Sequence, residues 1–297
     1  MGAATLQSRG TGGQRVGVVG LGTIGGGIAV SLARRGRVPA VHDVRPEAAL
    51  GLSGVPSALG SAGDVAARSD IVFISVVDAE QVRAALEGAD GILRAAHRGL
   101  VVLVTATIPV RAIRDLAGPC ASQGVTLLDC GVNLGSRAAD NGLLLFVGGP
   151  DDVLRRIRPV LDDIAQQVMH CGPLGAGMAT KLGCQVVTAG RWRAVHEAVE
   201  LASAAGVDPR TLVAAVEASD PDGSSLLRLQ RLRMSASTVD EFSRPVQHYA
   251  RNLDKDLEAV QELAAETGVA VPLVDLARSH AADTFGWVEQ TGESPQP

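Results

Sequence analysis

Arg15-Val16-Gly17-Val18-Val19-Gly20-Leu21-Gly22-Thr23-Ile24-Gly25 reads as an apolar strand, a glycine turn and the opening of a helix. A second apolar run, Ala40-Val41-His42, ends in an acid, Asp43, about twenty residues beyond the turn. Gly20 permits the tight turn, Gly22 lets backbone approach a pyrophosphate, and Gly25 lets the helix pack close to the strand. The phosphates then sit on the unpaired N–H groups and positive dipole of the helix N-terminus, with Leu21, Thr23 and Ile24 completing the cradle. With 35 glycines in the chain, the six-residue pattern alone arises by chance, so its flanks decide. Val16–Val19 before it, the Ile28/Leu32 face after it and Asp43 behind it together predict a dinucleotide site.

Outward from this turn, short apolar runs alternate with helical patterns: Ile71–Val76, Leu100–Val104, Val125–Leu128 and Leu143–Val147, with helices at Glu80–Leu86 and Val110–Ala117. Such alternation predicts βαβ units on a mainly parallel sheet, the run before Val147-Gly-Gly-Pro150 being an edge or antiparallel strand. Beyond Gly172-Pro173 the texture becomes helical: an Ala-rich stretch from Gly177 to Ala205, then Pro209–Ala218, Ser224–Met234, Val246–Thr267 and Pro272–Trp287. The expected architecture is α/β: a Rossmann-type, doubly wound N-terminal sheet over residues 14–173, followed by an all-helical domain over 174–290. Residues 1–13 and 291–297 read as tails.

Composition narrows the class. The net charge of −5, without a basic block, and 2% aromatic residues argue against a nucleic-acid partner. The four cysteines show no C-x-x-C spacing, which suits a reduced cytoplasmic chain better than a disulfide framework. The first residues carry no apolar signal segment, and no apolar run approaches the ~18 residues of a membrane span. Neither H-E-x-x-H nor H-x-x-x-H occurs around His196-Glu197 or His248, so no metal site is expected.

Lys181 lies near the start of the long helix, where a cation is disfavoured by the dipole and its pKa is lowered, a setting suited to proton exchange near neutrality. Gln185, four residues on, shares its face and offers an amide that orients a substrate without competing for the proton.

Four motifs in order, Gly20-Leu-Gly-Thr-Ile-Gly25, the segment from Asp129 to Gly149, Gly175-Ala-Gly-Met-Ala-Thr-Lys181-Leu and Asp254-Lys255-Asp256-Leu257, resemble the β-hydroxyacid dehydrogenase family over roughly residues 14 to 288. That family includes enzymes of the 3-hydroxyisobutyrate dehydrogenase and tartronate semialdehyde reductase type. The resemblance implies a nicotinamide-binding domain, a helical domain over the substrate, Lys181 as general acid/base, and Lys255 near cofactor and substrate. It also places Val76, Val77 and Asp78 along the adenosine and its phosphates, Thr107 on the cofactor side, and a homodimer or higher homo-oligomer in solution.

The chain departs from that pattern in its substrate loop. The family's D-A-P-V-S-G-G stands here as Asp129-Cys-Gly-Val-Asn133-Leu134-Gly135, so a serine has become Asn133 and a glycine Leu134; the family's helix asparagine is Gln185. Asn133, Leu134, Gly135, Gln185 and Lys255 are the expected substrate contacts, with Arg137 a candidate replacement anion grip or a surface residue. Asp43 favours NAD, because a carboxylate accepts from ribose hydroxyls and repels a 2′-phosphate; Arg45 leaves NADP open. The expectation is an NAD(P)-dependent dehydrogenase acting on a small hydroxy acid or semialdehyde. The alternatives are an imine reductase on the same fold and a cofactor-binding protein without turnover.

Overall fold

The computed structural model describes residues 13–285; the expected tails, apart from Gly13, and Trp287 lie outside them. The chain divides into two compact units, one ending at Gln185 and one beginning at Val186.

In the first unit the elements run β1 (Val16–Val19), α1 (Thr23–Arg34), β2 (Ala40–His42), α2 (Ala62–Ala67), β3 (Ile71–Ile74), α3 (Ala79–Glu87), β4 (Val101–Val104), α4 (Val110–Ser122), β5 (Thr126–Asn133), β6 (Leu143–Gly148), α5 (Asp151–Leu161) and β7 (Ala165–Gly172). They form one seven-stranded sheet in the order β2-β1-β3-β4-β5-β6-β7. All neighbours are parallel except β5 and β6. Chain order reverses at β1, which has β2 on one side and β3 on the other, and ligands of such sheets bind beyond the strand C-termini at that switch point.

Both faces of the sheet are covered, which is why its strands are continuous Val/Ile/Leu runs and not alternating ones. Val18, Phe73 and Leu103 pack with Ile28 and Leu32 of α1 and Ile157 of α5. Val72, Ile74 and Val102 pack on the other face with Val65 of α2, Leu86 of α3 and Ile113 of α4.

Two sequence expectations change here, and one of two alternatives is settled. β3 stops at Ile74, because Gly20 turns β1 away at φ +89° and leaves nothing to pair further on. Val76 and Val77 therefore lie in the turn to α3, whose N-terminus Asp78 caps by accepting from Gln81 N–H at 2.8 Å. The run at Leu143 is antiparallel but not an edge: β7 covers it, an edge strand missed because its exposed Gln166 and Gln167 break the apolar pattern.

The helix α6 (Ala176–Ala204) begins in the first unit and ends in the second, where α7 (Pro209–Ser219), α8 (Arg228–Ser235), α9 (Val239–Thr267), α10 (Pro272–Ser279) and α11 (Ala281–Phe285) follow. α9 starts seven residues before Val246, capped by Thr238, whose hydroxyl accepts from Glu241 N–H at 3.2 Å; Pro245 lies within it. The expected helix from Pro272 is broken at His280 into α10 and α11. Two small cores hold this unit, Phe242/Val246/Ala250/Phe285 and Leu201/Ala264/Val271. Buried Glu197 of α6 accepts from Leu273 N–H at 3.0 Å, tying α10 to α6. Among the described residues no helix is long and apolar enough to cross a membrane.

Candidate active site

The glycine turn has the shape its sequence requires. Gly20 holds φ +89°, and a Cβ there would meet the Ser75 carbonyl oxygen at 2.7 Å; a Cβ on Gly25 would overlap Gly20 O. Gly22 behaves oppositely: nothing lies within 4 Å of where its Cβ would be. Gly22 and Thr23 are exposed, Leu21 is buried and Ile24 half-buried, so the first turn of α1 presents open backbone as a pyrophosphate cradle must.

Asp43, 8% exposed, closes this turn from behind. One carboxylate oxygen accepts from Leu21 N–H at 2.7 Å; the other accepts from Arg45 N–H at 2.9 Å and from the Arg45 guanidinium at 3.2 Å. Burial alone would raise the Asp43 pKa, but these bonds together hold it below the usual carboxylate range. Arg45, read in the sequence as a solvent or 2′-phosphate residue, is thus engaged by Asp43 while remaining exposed.

Val76 packs beside Gly20, and Val77 is 79% exposed. Thr107 is exposed past the end of β4. The hydroxyl pair that does meet at the strand ends is a different one: Ser75 Oγ and Thr105 Oγ1 lie 2.6 Å apart, and Thr105 donates to Ile74 O.

The acid/base candidate is built by β5. Alternate residues of a strand share a face, and Asp129, Gly131 and Asn133 all meet the start of α6 while Cys130 and Val132 enter the core behind. Asp129 is fully buried; its carboxylate accepts from Gly175 N–H at 2.6 Å and Met178 N–H at 2.5 Å, satisfying donors that the helix start leaves open. Gly131 makes room: a Cβ there would lie 2.6 Å from Lys181 Cβ and 2.8 Å from Gly177 O. Asn133 ends the strand, and Lys181 Nζ donates to its Oδ1 at 2.6 Å. The half-buried Lys181 amine has a pKa below the ordinary lysine value, because burial disfavours the ammonium and the Cys184 thiol only partly offsets that.

Past Asn133 the chain turns through Leu134, which has φ +58° and ψ +40°. That left-handed conformation costs a residue with a Cβ roughly 1–2 kcal/mol, and Leu134 is 41% exposed. Gly135 follows, where a Cβ would overlap Ile24 Cδ1 of the dinucleotide turn. The 3₁₀ segment Gly135–Asp140 is then fixed on α1: Ser31 Oγ donates to Ala138 O at 2.7 Å, and Arg34 donates to Ala139 O at 2.5 Å. The residues of the Asn133–Gly135 turn therefore touch both the lysine and the glycine turn.

Other candidates fall elsewhere. Arg137 is exposed and donates to Gln166 at 3.1 Å, on the β7 side. Gln185 is exposed on the Lys181 face of α6. Lys255 belongs to the second unit, where it is 77% exposed and 3.7 Å from Asp256. His42 bonds Leu59 O at 2.9 Å and is a packed residue. Tyr249 is 61% exposed, edge-on to Phe285. Sequence reading placed Asp129 and Gly131 in the substrate-loop motif without giving either a role, and did not single out Ser75 or Thr105; an acid two residues before a glycine on a buried strand was the available signal for the first two.

Comparison with known proteins identifies the family. Residues 15–172 match the family model of the NAD-binding domain of 6-phosphogluconate dehydrogenase. Residues 175–286 match the model described as NAD-binding of NADP-dependent 3-hydroxyisobutyrate dehydrogenase. An uncharacterized oxidoreductase of Mycobacterium tuberculosis is 32% identical over 92% of this chain and 93% of that protein. Among solved structures, an oxidoreductase from Mycobacterium avium 104 superposes with a TM-score of 0.79 at 28% identity, covering 92% of this chain and 99% of the other. The 3-hydroxyisobutyrate dehydrogenase of Mycobacterium tuberculosis, solved with L-serine, gives 0.65 at 27% identity, covering 91% and 93%. An imine reductase from Pseudomonas, at 19% identity and a TM-score of 0.73 over 92% and 94% of the two chains, shares the fold. With both halves matched by nicotinamide-binding models and a relative aligned over almost its full length, the chain is an NAD(P)-binding oxidoreductase of the β-hydroxyacid dehydrogenase family.

Proposed function

We propose that this protein is a dehydrogenase of the EC 1.1.1 type, interconverting a small hydroxy acid and its semialdehyde- or keto-type carbonyl, with Lys181 as general acid/base. The observation that carries this reading is the 2.6 Å bond from Lys181 Nζ to Asn133 Oδ1, in a turn whose next residues abut the dinucleotide loop. The bound nicotinamide supplies or accepts the hydride. In reduction the Lys181 ammonium gives its proton to the carbonyl oxygen as the alcohol forms; in oxidation the neutral amine removes the hydroxyl proton. The lowered Lys181 pKa keeps both forms accessible closer to neutrality. Asn133 aligns the amine through its oxygen and leaves its NH₂ to donate to the substrate, while Gln185 and Lys255 provide further substrate contacts.

Asp43, at the end of β2, favours NAD as the cofactor, with NADP accepted less well. Residues 14–173 serve as the dinucleotide domain and 174–290 as the substrate and dimerisation domain of a cytoplasmic homodimer. A spectrophotometric screen with both nicotinamides against hydroxy acids, semialdehydes, keto acids and cyclic imines tests the assignment. Lys181→Ala should lower turnover by roughly 10²–10⁴-fold with cofactor affinity intact. Turnover of imines alone, or turnover indifferent to Lys181, would overthrow it.

A further inference from the structure

Leu134 is costly to the fold twice over: its backbone is left-handed, and its side chain is 41% exposed and outside the core clusters of the first unit. A strained, exposed apolar residue held rigidly between two functional elements points to a role in binding. Its neighbours supply the elements: Asn133 on one side bonds Lys181, and Gly135 on the other lies against Ile24 of the glycine turn. Its rigidity comes from the segment that follows, which Ser31 and Arg34 of α1 hold by its Ala138 and Ala139 carbonyls. The charged side chains of that segment are turned to other partners, Arg137 to Gln166 and Asp140 to Arg34. What Asn133 and Leu134 offer a substrate is one amide and one isobutyl group, with the exposed hydroxyl of Ser136 two residues further on.

We infer that Leu134 is a specificity-determining residue that selects substrates carrying an apolar alkyl or aryl substituent beside the reacting carbonyl carbon. The inference rests on the assignment of Lys181 as acid/base, and the chemistry is unchanged. Hydride adds to the carbonyl carbon, the C=O π pair takes the Lys181 proton, and the nicotinamide is oxidised. Leu134 removes the apolar substituent from water as the carbonyl reaches Lys181, so the selection appears in kcat/KM.

The test is a homologous series of carbonyl substrates, from a methyl through propyl and isobutyl to a phenyl substituent. It is assayed with both reduced nicotinamides on the wild-type protein and on Leu134→Gly, Leu134→Asn, Leu134→Met and Lys181→Ala. The wild type should favour the propyl or larger substituent over methyl by about tenfold or more in kcat/KM. Leu134→Met should keep that preference. Leu134→Gly and Leu134→Asn, which accept the left-handed backbone and should melt no lower than wild type, should lose it, kcat/KM for the propyl and larger members falling to that of the methyl compound. A wild type that turns over the series without apolar preference, or a preference unchanged in Leu134→Gly, overturns the inference and leaves the dehydrogenase assignment standing. No turnover of any member, in wild type as in Lys181→Ala, overturns both.

Discussion

Lys181 and Asn133 form a donor–acceptor pair at 2.6 Å, the lysine from the second turn of α6 and the asparagine from the last position of β5. A carbonyl oxygen that accepts from an ammonium favours the charged form, so Asn133 opposes the burial that lowers the Lys181 pKa. Oxidative turnover should accordingly rise with pH as neutral Lys181 accumulates, with a midpoint below the ordinary lysine value, and reductive turnover should fall over the same interval. In Asn133→Ala the acceptor is gone, and the midpoint should move further toward acid. A pH–rate profile of kcat decides; an alkaline shift in the variant would reverse the role given to Asn133.

Asp129 should prove more important to stability than any other polar residue of the sheet. Asparagine at 129 keeps the volume but sets an NH₂ against one of two N–H donors at the start of α6. We expect Asp129→Asn to cost about 2–3 kcal/mol by urea denaturation, together with a fall in kcat as the helix carrying Lys181 shifts. Wild-type stability in this variant would mean that the α6 start is held by other contacts.

Gly131→Ala probes the same junction by volume. Its methyl must displace the Lys181 stem or the Gly177 carbonyl, both under 3 Å away. A loss of roughly 1–3 kcal/mol is expected, with kcat reduced more than cofactor affinity. Cofactor titration alongside turnover separates the two effects.

The Asp43–Arg45 pair should set the choice of nicotinamide. Serine at 43 removes the carboxylate and releases the Arg45 guanidinium, which is bonded to it in the native chain. The kcat/KM ratio of NADP⁺ to NAD⁺ should rise by roughly ten- to a hundredfold, the equivalent of one charge-assisted hydrogen bond. An unchanged ratio would show that recognition lies elsewhere in the loop.

What the sequence made legible was local. The glycine turn and Asp43 stand within one βαβ segment, and the buried parallel strands announce themselves as apolar runs, so fold class and a nicotinamide cofactor were readable from spacing. Lys181 was singled out from its place at the helix start, whereas the burial that also lowers its pKa shows only in the folded chain. The Asp129 bonds to Gly175 and Met178 join positions more than forty residues apart, and only the folded sheet brings them together. Ser75 with Thr105, and Arg137 with Gln166, escaped for the same reason. β7 escaped because an edge strand with glutamines facing solvent carries no apolar signature.

The alternation along β5 has a consequence for how such a protein can change. Every second residue, Asp129, Gly131 and Asn133, meets α6, so a single inserted or deleted residue within the strand would exchange this entire set for Cys130 and Val132 and place cysteine and valine before the lysine. Evolution can therefore edit the strand only by substitution. The turn beginning at Leu134 is under no such parity constraint. Laboratory diversification confined to that turn should change its surface while leaving the Lys181–Asn133 pair in place, the two features segregating as if they were separate modules.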